Sequence, residues 1–230
     1  YKRQLLRDRS VSAQTEPVEF LKFSIPQTLA ATVFRLNTRL DFLMIIALSG
    51  SAAVGFYDVA TGLAVLGALP VNAVITMFNP FIAELASAGE TERLDALLKT
   101  VTRWLILASV PVYGGLILLA DVLIGALYPA EYAAAALPLV ILCAGQIVNV
   151  ACSPTMRLIP MSGHTLLNFI NGVVALILGV VLNLLLIPDH GIVGAAMATA
   201  ITLSAWALWR VAEVWHLLRC FPFTLSLIHI

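Results

Sequence analysis

Two arginines and an aspartate interrupt a stretch that is otherwise apolar. Residues 20–49 form one run long enough to cross a bilayer, and Arg35, Asn37, Arg39 and Asp41 fall in its middle. On insertion scales an Arg at a helix centre costs about 2.5–3.5 kcal/mol. A chain carries that cost when the helix faces a wet cavity or a charged cargo. A guanidinium matches phosphate with forked hydrogen bonds, so the chemistry these residues suit is the holding of an anion. Thr28, Thr32, Arg35 and Arg39 fall on one helical face by spacing, while Asn37 and Asp41 share another. Arg39 and Asp41 are two apart and form no pair within the helix. Asp41 can balance the cationic charge or act as a proton or cation site that titrates through a cycle. The competing reading has Arg35 and Arg39 pairing with carboxylates or carbonyls of other helices and only holding a bundle together. A hydrophilic turn at 35–41 fits less well, because it leaves apolar pieces of about fifteen residues on either side, short of a span.

Softer polar groups lie in the other apolar runs. Asn72, Thr76 and Asn79 share a face and are candidates to line the same cavity. Glu84, at the end of that run, reads as solvated near the interface. Gln146, Asn149, Asn168, Asn171 and Asn183 read as interhelical hydrogen-bonding groups, each worth roughly 0.6–2 kcal/mol in a membrane. Pro26, Pro70, Pro80, Pro111, Pro138 and Pro154 permit kinks, static or mobile. The run Gly191, Gly194, Ala195, Ala198 allows close helix packing.

The elements that must position these residues are membrane helices. Hydrophobic residues make up 60% of the 230 and charged residues 11%, against about 25% charged in a soluble domain. The composition predicts an all-α membrane protein. The expected bundle has six transmembrane helices, at about 20–48, 56–86, 101–120, 132–156, 165–187 and 191–210. Turn chemistry at Gly50 to Gly55, Ala88-Gly89-Glu90, Pro129, Met161-Ser162-Gly163 and Pro188-Asp189-His190-Gly191 separates them. Glu90–Arg103 carries Leu94, Leu97, Leu98 and Val101 on one face and reads either as a helix lying on the membrane surface or as an extension of the third span. Leu208–Leu218 is similar.

Lys and Arg set the expected orientation. Lys2, Arg3, Arg7, Arg9 and Lys22 precede or open span one, Arg93, Lys99 and Arg103 lie between two and three, Arg157 lies between four and five, and Arg210 and Arg219 follow six. The alternate loops carry Asp121, Glu131 and Asp189 and no cation. The cationic side is expected to be cytoplasmic, with both ends inside. Trp104, Trp206, Trp209 and Trp215 cluster toward that face. Net charge is zero, which supplies no pull toward nucleic acid. Cys143, Cys152 and Cys220 have no metal spacing, and no cofactor is expected. Residues 1–19 read as a basic cytoplasmic segment, 20–219 as the membrane unit, and 225–230 as a non-native tail. The absence of an initiating Met suggests a piece of a longer chain.

Several fragments resemble the oligosaccharide-lipid flippase family of the multidrug/oligosaccharidyl-lipid/polysaccharide exporter (MOP) superfamily. They are Phe23-Ser24-Ile25-Pro26 followed by Arg39-Leu40-Asp41, Val54-Gly55-Phe56-Tyr57-Asp58-Val59-Ala60, Asn79-Pro80-Phe81 through Gly89, and Tyr132-Ala133-Ala134 running to Ile141-Leu142. The fullest match is the stretch from Leu182-Asn183 through Leu186-Ile187-Pro188 and Gly191 to Gly194-Ala195-Ala196-Met197-Ala198-Thr199. The resemblance implies one lobe of a two-lobed alternating-access transporter, the C-terminal one, with residues 1–19 as the linker and an N-terminal lobe as partner. It also implies a cargo, a polyprenyl-diphosphate-linked oligosaccharide moved across a bacterial inner membrane for surface polysaccharide synthesis. The polyprenyl tail would stay in membrane lipid. The site residues expected are Arg35, Arg39, Thr32, Asn72 and Asn79 for substrate and Asp41 for ion coupling. No covalent chemistry is needed, so the protein is not expected to be an enzyme. Three alternatives stand beside this. A cation-coupled multidrug exporter would favour acidic cavity groups over paired Arg. A membrane glycan polymerase would need acid–base groups on a large outer loop. A non-transporting scaffold subunit would need neither.

Overall fold

The computed structural model describes residues 17–161 and 165–218. The basic segment through residue 16, the turn at 162–163, Arg219, Cys220 and the tail 225–230 lie outside these. The described residues are almost entirely helical, with no strand among them. The elements are α1 (Pro17–Ser49), α2 (Ser51–Ala88), α3 (Thr91–Leu118), the short α4 (Ala120–Leu127), a 3-10 turn (Ala130–Ala135), α5 (Ala136–Met161) and α6 (Thr165–Leu218).

Glycines at positive φ end three of the helical runs. At Gly50 (φ 87) the amide donates to the Ile46 carbonyl at 3.1 Å, and one residue suffices to pass from α1 to α2. At Gly89 (φ 70) the following Glu90 amide reaches back to the Leu85 carbonyl at 3.2 Å, satisfying an orphan carbonyl at the end of α2. Inside α6, Gly191 sits at φ 55, ψ −131, a region open to glycine alone. The chain reverses there. Asn183 and Thr199 would be about 24 Å apart along a straight helix, yet both hydrogen-bond the same carboxylate. Two arms, 165–190 and 192–218, therefore run antiparallel. Gly194 lies so close to the Leu186 carbonyl that no side chain fits.

Six spans were expected, and the described residues contain four stretches long and apolar enough to cross a membrane: Ser51–Leu69, Thr91–Leu118, Ala130–Met156 and Thr165–Leu217. Two physical causes account for the difference. The expected fifth and sixth spans lie in one helical element bent at Gly191 and form a single apolar stretch. α1 is helical across the expected first span, but Arg35, Arg39 and Asp41 leave it too polar to qualify on composition. Of the two readings of Glu90–Arg103, the structure has the extension of the third span, since from Thr91 the segment runs unbroken into it. The segment is the first half of α3, and Leu94 and Leu98 are buried in one cluster with Ile82, Leu158, Ile159 and Val214. Residues 208–218 likewise continue α6, with Val211 and Val214 buried.

The large apolar side chains point both ways. Tyr57, Ile45, Tyr113, Leu105, Leu139 and Ile187 pack in the central core, while Leu66, Met77, Leu118, Val122 and Leu185 face outward, as lipid contact requires. Lipid is as apolar as Leu, so helix contact depends on close approach of small residues. Ala195, Ala196 and Ala198 are fully buried, and a Cβ on Gly145 of α5 would stand 2.8 Å from the Ala200 Cα. One end of the bundle gathers Gly50, the 3-10 turn and Gly191, with Phe56 edge-on to Tyr132 at 5.2 Å. The opposite end carries Glu90, Arg93, Asp95 and Lys99, tied by Arg93–Glu90 and Lys99–Asp95 ion pairs.

Candidate functional site

The site builds from α1, whose two faces part ways. The Asn37–Asp41 face turns inward. Asp41 is 9% exposed. Asn183 Nδ2 donates to its Oδ1 at 2.7 Å, and Thr199 Oγ1 donates to its Oδ2 at 3.0 Å. Thr199 has one hydroxyl hydrogen, spent on Asp41, so the buried Tyr57 hydroxyl, 2.9 Å from Thr199 Oγ1, is the donor in that contact. Phe42 packs edge-on against Tyr57 at 5.6 Å. One carboxylate thus joins α1 to both arms of α6 directly and to α2 through Thr199. In lipid these groups have no water to fall back on, which is why the reversal at Gly191 and the Asp41 network stabilise each other.

One helical turn away, Asn37 opens onto a cavity of about 260 Å³ between α1 and the arms of α6. Gln27, Arg35, Asn168, Thr202, Trp206 and Arg210 also line it. Arg210 is 2% exposed. Its Nη1 donates to Asn168 Oδ1 at 2.7 Å, its Nη2 to the Met156 carbonyl at 2.7 Å, and its guanidinium lies 5.2 Å over the Trp206 ring. Asn168 Nδ2 in turn donates to Gln27 Oε1 at 3.3 Å. A second link, Asn171 Nδ2 to Glu213, with Trp209 Nε1 on the same carboxylate at 2.9 Å, ties the arms together beside it.

The other face of α1 is open. Arg35 and Arg39 are both exposed, and neither guanidinium makes a hydrogen bond or ion pair among the described residues. Arg35 also forms the lip of the cavity, whereas Arg39 and Thr32 do not line it. Thr32 is exposed and donates to the Thr28 carbonyl of its own helix at 2.9 Å. Asn72 is exposed on α2. Asn79 is half-buried, and its Oδ1 is buried with no partner among the described residues. Neither asparagine joins Arg35 at the cavity. The structure therefore divides the expected set: Asp41 faces inward, Arg39, Thr32 and Asn72 face outward, and Arg35 stands at the boundary.

Two expectations are corrected here. Arg210 is not a cation of a loop after the last span, because α6 continues past it and Asn168 and Met156 hold it inside the bundle. Trp206 is not an interfacial anchor but a wall of the cavity; Trp104, Trp209 and Trp215 are exposed. A local signal for Arg210 existed: Trp206 precedes it by four, and Ala207, Val211 and Val214 keep the helix face apolar beyond it. The partners of Asp41 had no such signal, since they lie 142 and 158 residues away.

The class of protein follows from the fold and these sites together. Over 91% of its length the chain superposes on a MOP superfamily transporter from Pyrococcus furiosus, described for the reverse polarity of its binding pocket, with a TM-score of 0.71 and 19% identity, covering 47% of that chain. It superposes equally far on an outward-facing multidrug resistance MATE family transporter of the MOP superfamily, with a TM-score of 0.67, 21% identity and 48% of that chain covered. The fold is an all-α multi-pass membrane fold resembling one lobe of a two-lobed MOP transporter. The family described as polysaccharide biosynthesis protein matches residues 10–137, more than half of the chain, and the chain belongs to that family. It is 26% identical over 152 residues to a probable low-salt glycan biosynthesis flippase of Haloferax volcanii, covering 65% of this chain and 32% of that protein. To a second probable flippase of the same organism it is 26% identical over 190 residues, 80% of this chain and 39% of that protein. The chain thus spans about a third of the length of the curated relatives it matches and just under half of the solved transporters. These relatives are transporters rather than enzymes, and no group of three or more His, Cys, Asp or Glu among the described residues could hold a metal ion.

Proposed function

We propose that this chain forms one lobe of a flippase that moves a polyprenyl-diphosphate-linked oligosaccharide across a prokaryotic plasma membrane for surface polysaccharide synthesis. The exposed Arg35 and Arg39, without protein partners among the described residues, carry this reading. Arg35 lies about 27 Å from one end of α1 and about 21 Å from the other at 1.5 Å per residue, well within membrane depth. A bare guanidinium at that depth is expensive unless water or an anion meets it, and a diphosphate meets two of them. In this reading the open face of α1, with Thr32, Arg35, Arg39 and the exposed Asn72 of α2, faces a second lobe of the same protein across the cargo path. The half-length coverage of the two-lobed transporters supports that partner. The archaeal origin of the curated relatives supports a prokaryotic membrane rather than a bacterial one in particular.

Asp41 is the ion-coupling element in this proposal. Its carboxylate fastens α1 to both arms of α6, so a proton or cation taken up there would loosen or tighten α1 against the lobe. The same geometry favours a cation-coupled drug exporter as the second reading, but its exposed face would then be expected to carry acids, and here it carries two arginines.

Reconstituted full-length protein tests the proposal with a lipid-linked, fluorescent diphosphate sugar in vesicles. Arg35→Ala/Arg39→Ala should abolish translocation while the protein still assembles in the bilayer. Undiminished translocation by the double variant sinks the reading.

A further inference from the structure

We propose that the cavity enclosed by α1 and the two arms of α6 is a phosphate-binding site within the lobe, sharing Arg35 with the open face of α1 but not Arg39. The wall is rich in donors and poor in acids. Arg35 and Arg210 bring two guanidiniums to it, and no Asp or Glu lines it among the described residues. Among its contacts, Asn168 Oδ1, the Met156 carbonyl and the Trp206 ring hold Arg210 in the wall, so its position is fixed before any ligand arrives. Arg35, at the lip, has no protein partner among the described residues and can close on a ligand from the outer side.

A second observation points the same way. Thr202 is 4% exposed and lines the cavity, yet its hydroxyl has no partner, and the same is true of the Trp206 indole nitrogen. A buried donor left unmade costs about 1–3 kcal/mol. Both atoms are shut off from the cavity's free space and meet a ligand only if the wall shifts, whereas the half-buried Asn37 amide lines the cavity and has no side-chain hydrogen bond among the described residues. The cavity's 260 Å³ exceeds a phosphate group and leaves room for a methylene or isoprenyl stem. Ala30, Ala31, Phe34 and Leu203 supply an apolar side for such a stem. Ala31, Phe34 and Arg35 are exposed, so the mouth opens sideways across α1 rather than at an end of the bundle. A phosphomonoester on a lipid stem and a free phosphate share the recognised group, and they differ in whether the apolar side is used.

This inference rests on the flippase reading only for the choice of probe. The test uses the full-length protein in nanodiscs with a diazirine-bearing farnesyl phosphate, photolysed and mapped by peptide mass spectrometry. Labels are expected on 30–35, 168–175 and 202–210, and roughly tenfold fewer with Arg35→Gln, the loss appropriate to one charge-assisted phosphate contact. Ala31→Trp, a change at an exposed lip residue that leaves every donor in place, should block the mouth and remove the labels. Arg39→Ala should leave them unchanged even where it stops translocation, so loss of transport and loss of this site are told apart. Displacement of the label by millimolar inorganic phosphate would assign the site to phosphate itself; resistance to it would assign a lipid headgroup. Equal labelling by the uncharged farnesol analogue, labels confined to other segments, or full labelling of Ala31→Trp would overturn the proposal.

Discussion

Asp41 and Arg39 are neighbours in sequence and opposites in surroundings, and the contrast gives a measurable difference. Asp41→Ala leaves the Asn183 amide and the Thr199 hydroxyl without their acceptor in a region that water does not reach. With interhelical hydrogen bonds in membranes worth roughly 0.6–1.7 kcal/mol each, the loss should come to about 1–3 kcal/mol. Tyr57→Phe removes a single hydroxyl from the chain and should cost less. The exposed Arg39 side chain makes no hydrogen bond or ion pair among the described residues, so Arg39→Ala should leave unfolding unchanged. Thermal unfolding in a mild detergent orders the three, and an Asp41→Ala protein as stable as Arg39→Ala would mean that the carboxylate does not join the helices. At this scale the sequence shows Asp41 and the arginines as anomalies by their depth in an apolar run. It does not show Asn183 and Thr199 as their partners, because a contact between residues so far apart in the chain leaves no local periodicity. Arg210 reads as a loop cation in the sequence despite Trp206 four residues before it, because its acceptor, Asn168, lies 42 residues upstream.

The elements owe their ends to three glycines, and the three are not equivalent. Gly50 and Gly89 sit in the left-handed region where they cap α1 and α2, and Ala there should cost about 1 kcal/mol. Gly191 adds ψ −131 to its positive φ, a combination that no residue with a Cβ adopts easily. Gly191→Ala should therefore cost roughly 1–3 kcal/mol. Because the two arms meet at Asp41, Gly191→Ala combined with Asp41→Ala should cost less than the sum of the two single changes. Strict additivity in a double-mutant cycle would show the turn and the carboxylate to be independent. Glycine turn signals made all three breaks legible in the sequence. The course of residues 91–103 was not, since an apolar helix face suits lipid and protein alike, and only the presence of Ile82, Leu158 and Val214 opposite Leu94 and Leu98 decides between them.

For the whole molecule, the inward placement of Asp41 and Arg210 and the outward placement of large apolar side chains invert the pattern of a soluble domain, and that much the composition announces. Its orientation in the membrane rests on the loop cations. With Arg210 now inside the bundle, the asymmetry depends on one fewer residue, but the end bearing Arg93 and Lys99 still opposes an end bearing Asp121, Glu131 and Asp189 with no described Lys or Arg among them. The rule that cytoplasmic loops carry the excess of Lys and Arg puts the Gly89 turn inside and the Gly191 turn outside. Glu90→Cys and Glu131→Cys report on the two ends, both being exposed. With Cys220 replaced by Ser, the remaining native thiols, Cys143 and Cys152, are buried and should stay silent toward a membrane-impermeant maleimide. In intact cells Glu131→Cys should label and Glu90→Cys should not, with Glu90→Cys labelling only after lysis. The opposite result would turn the lobe over, and the charged end formed by Arg93, Lys99 and Glu90 would then face outward. Under the proposed flippase function, cargo loading from the cytoplasm would then have to begin at the acidic end, where the described residues offer a diphosphate no cation.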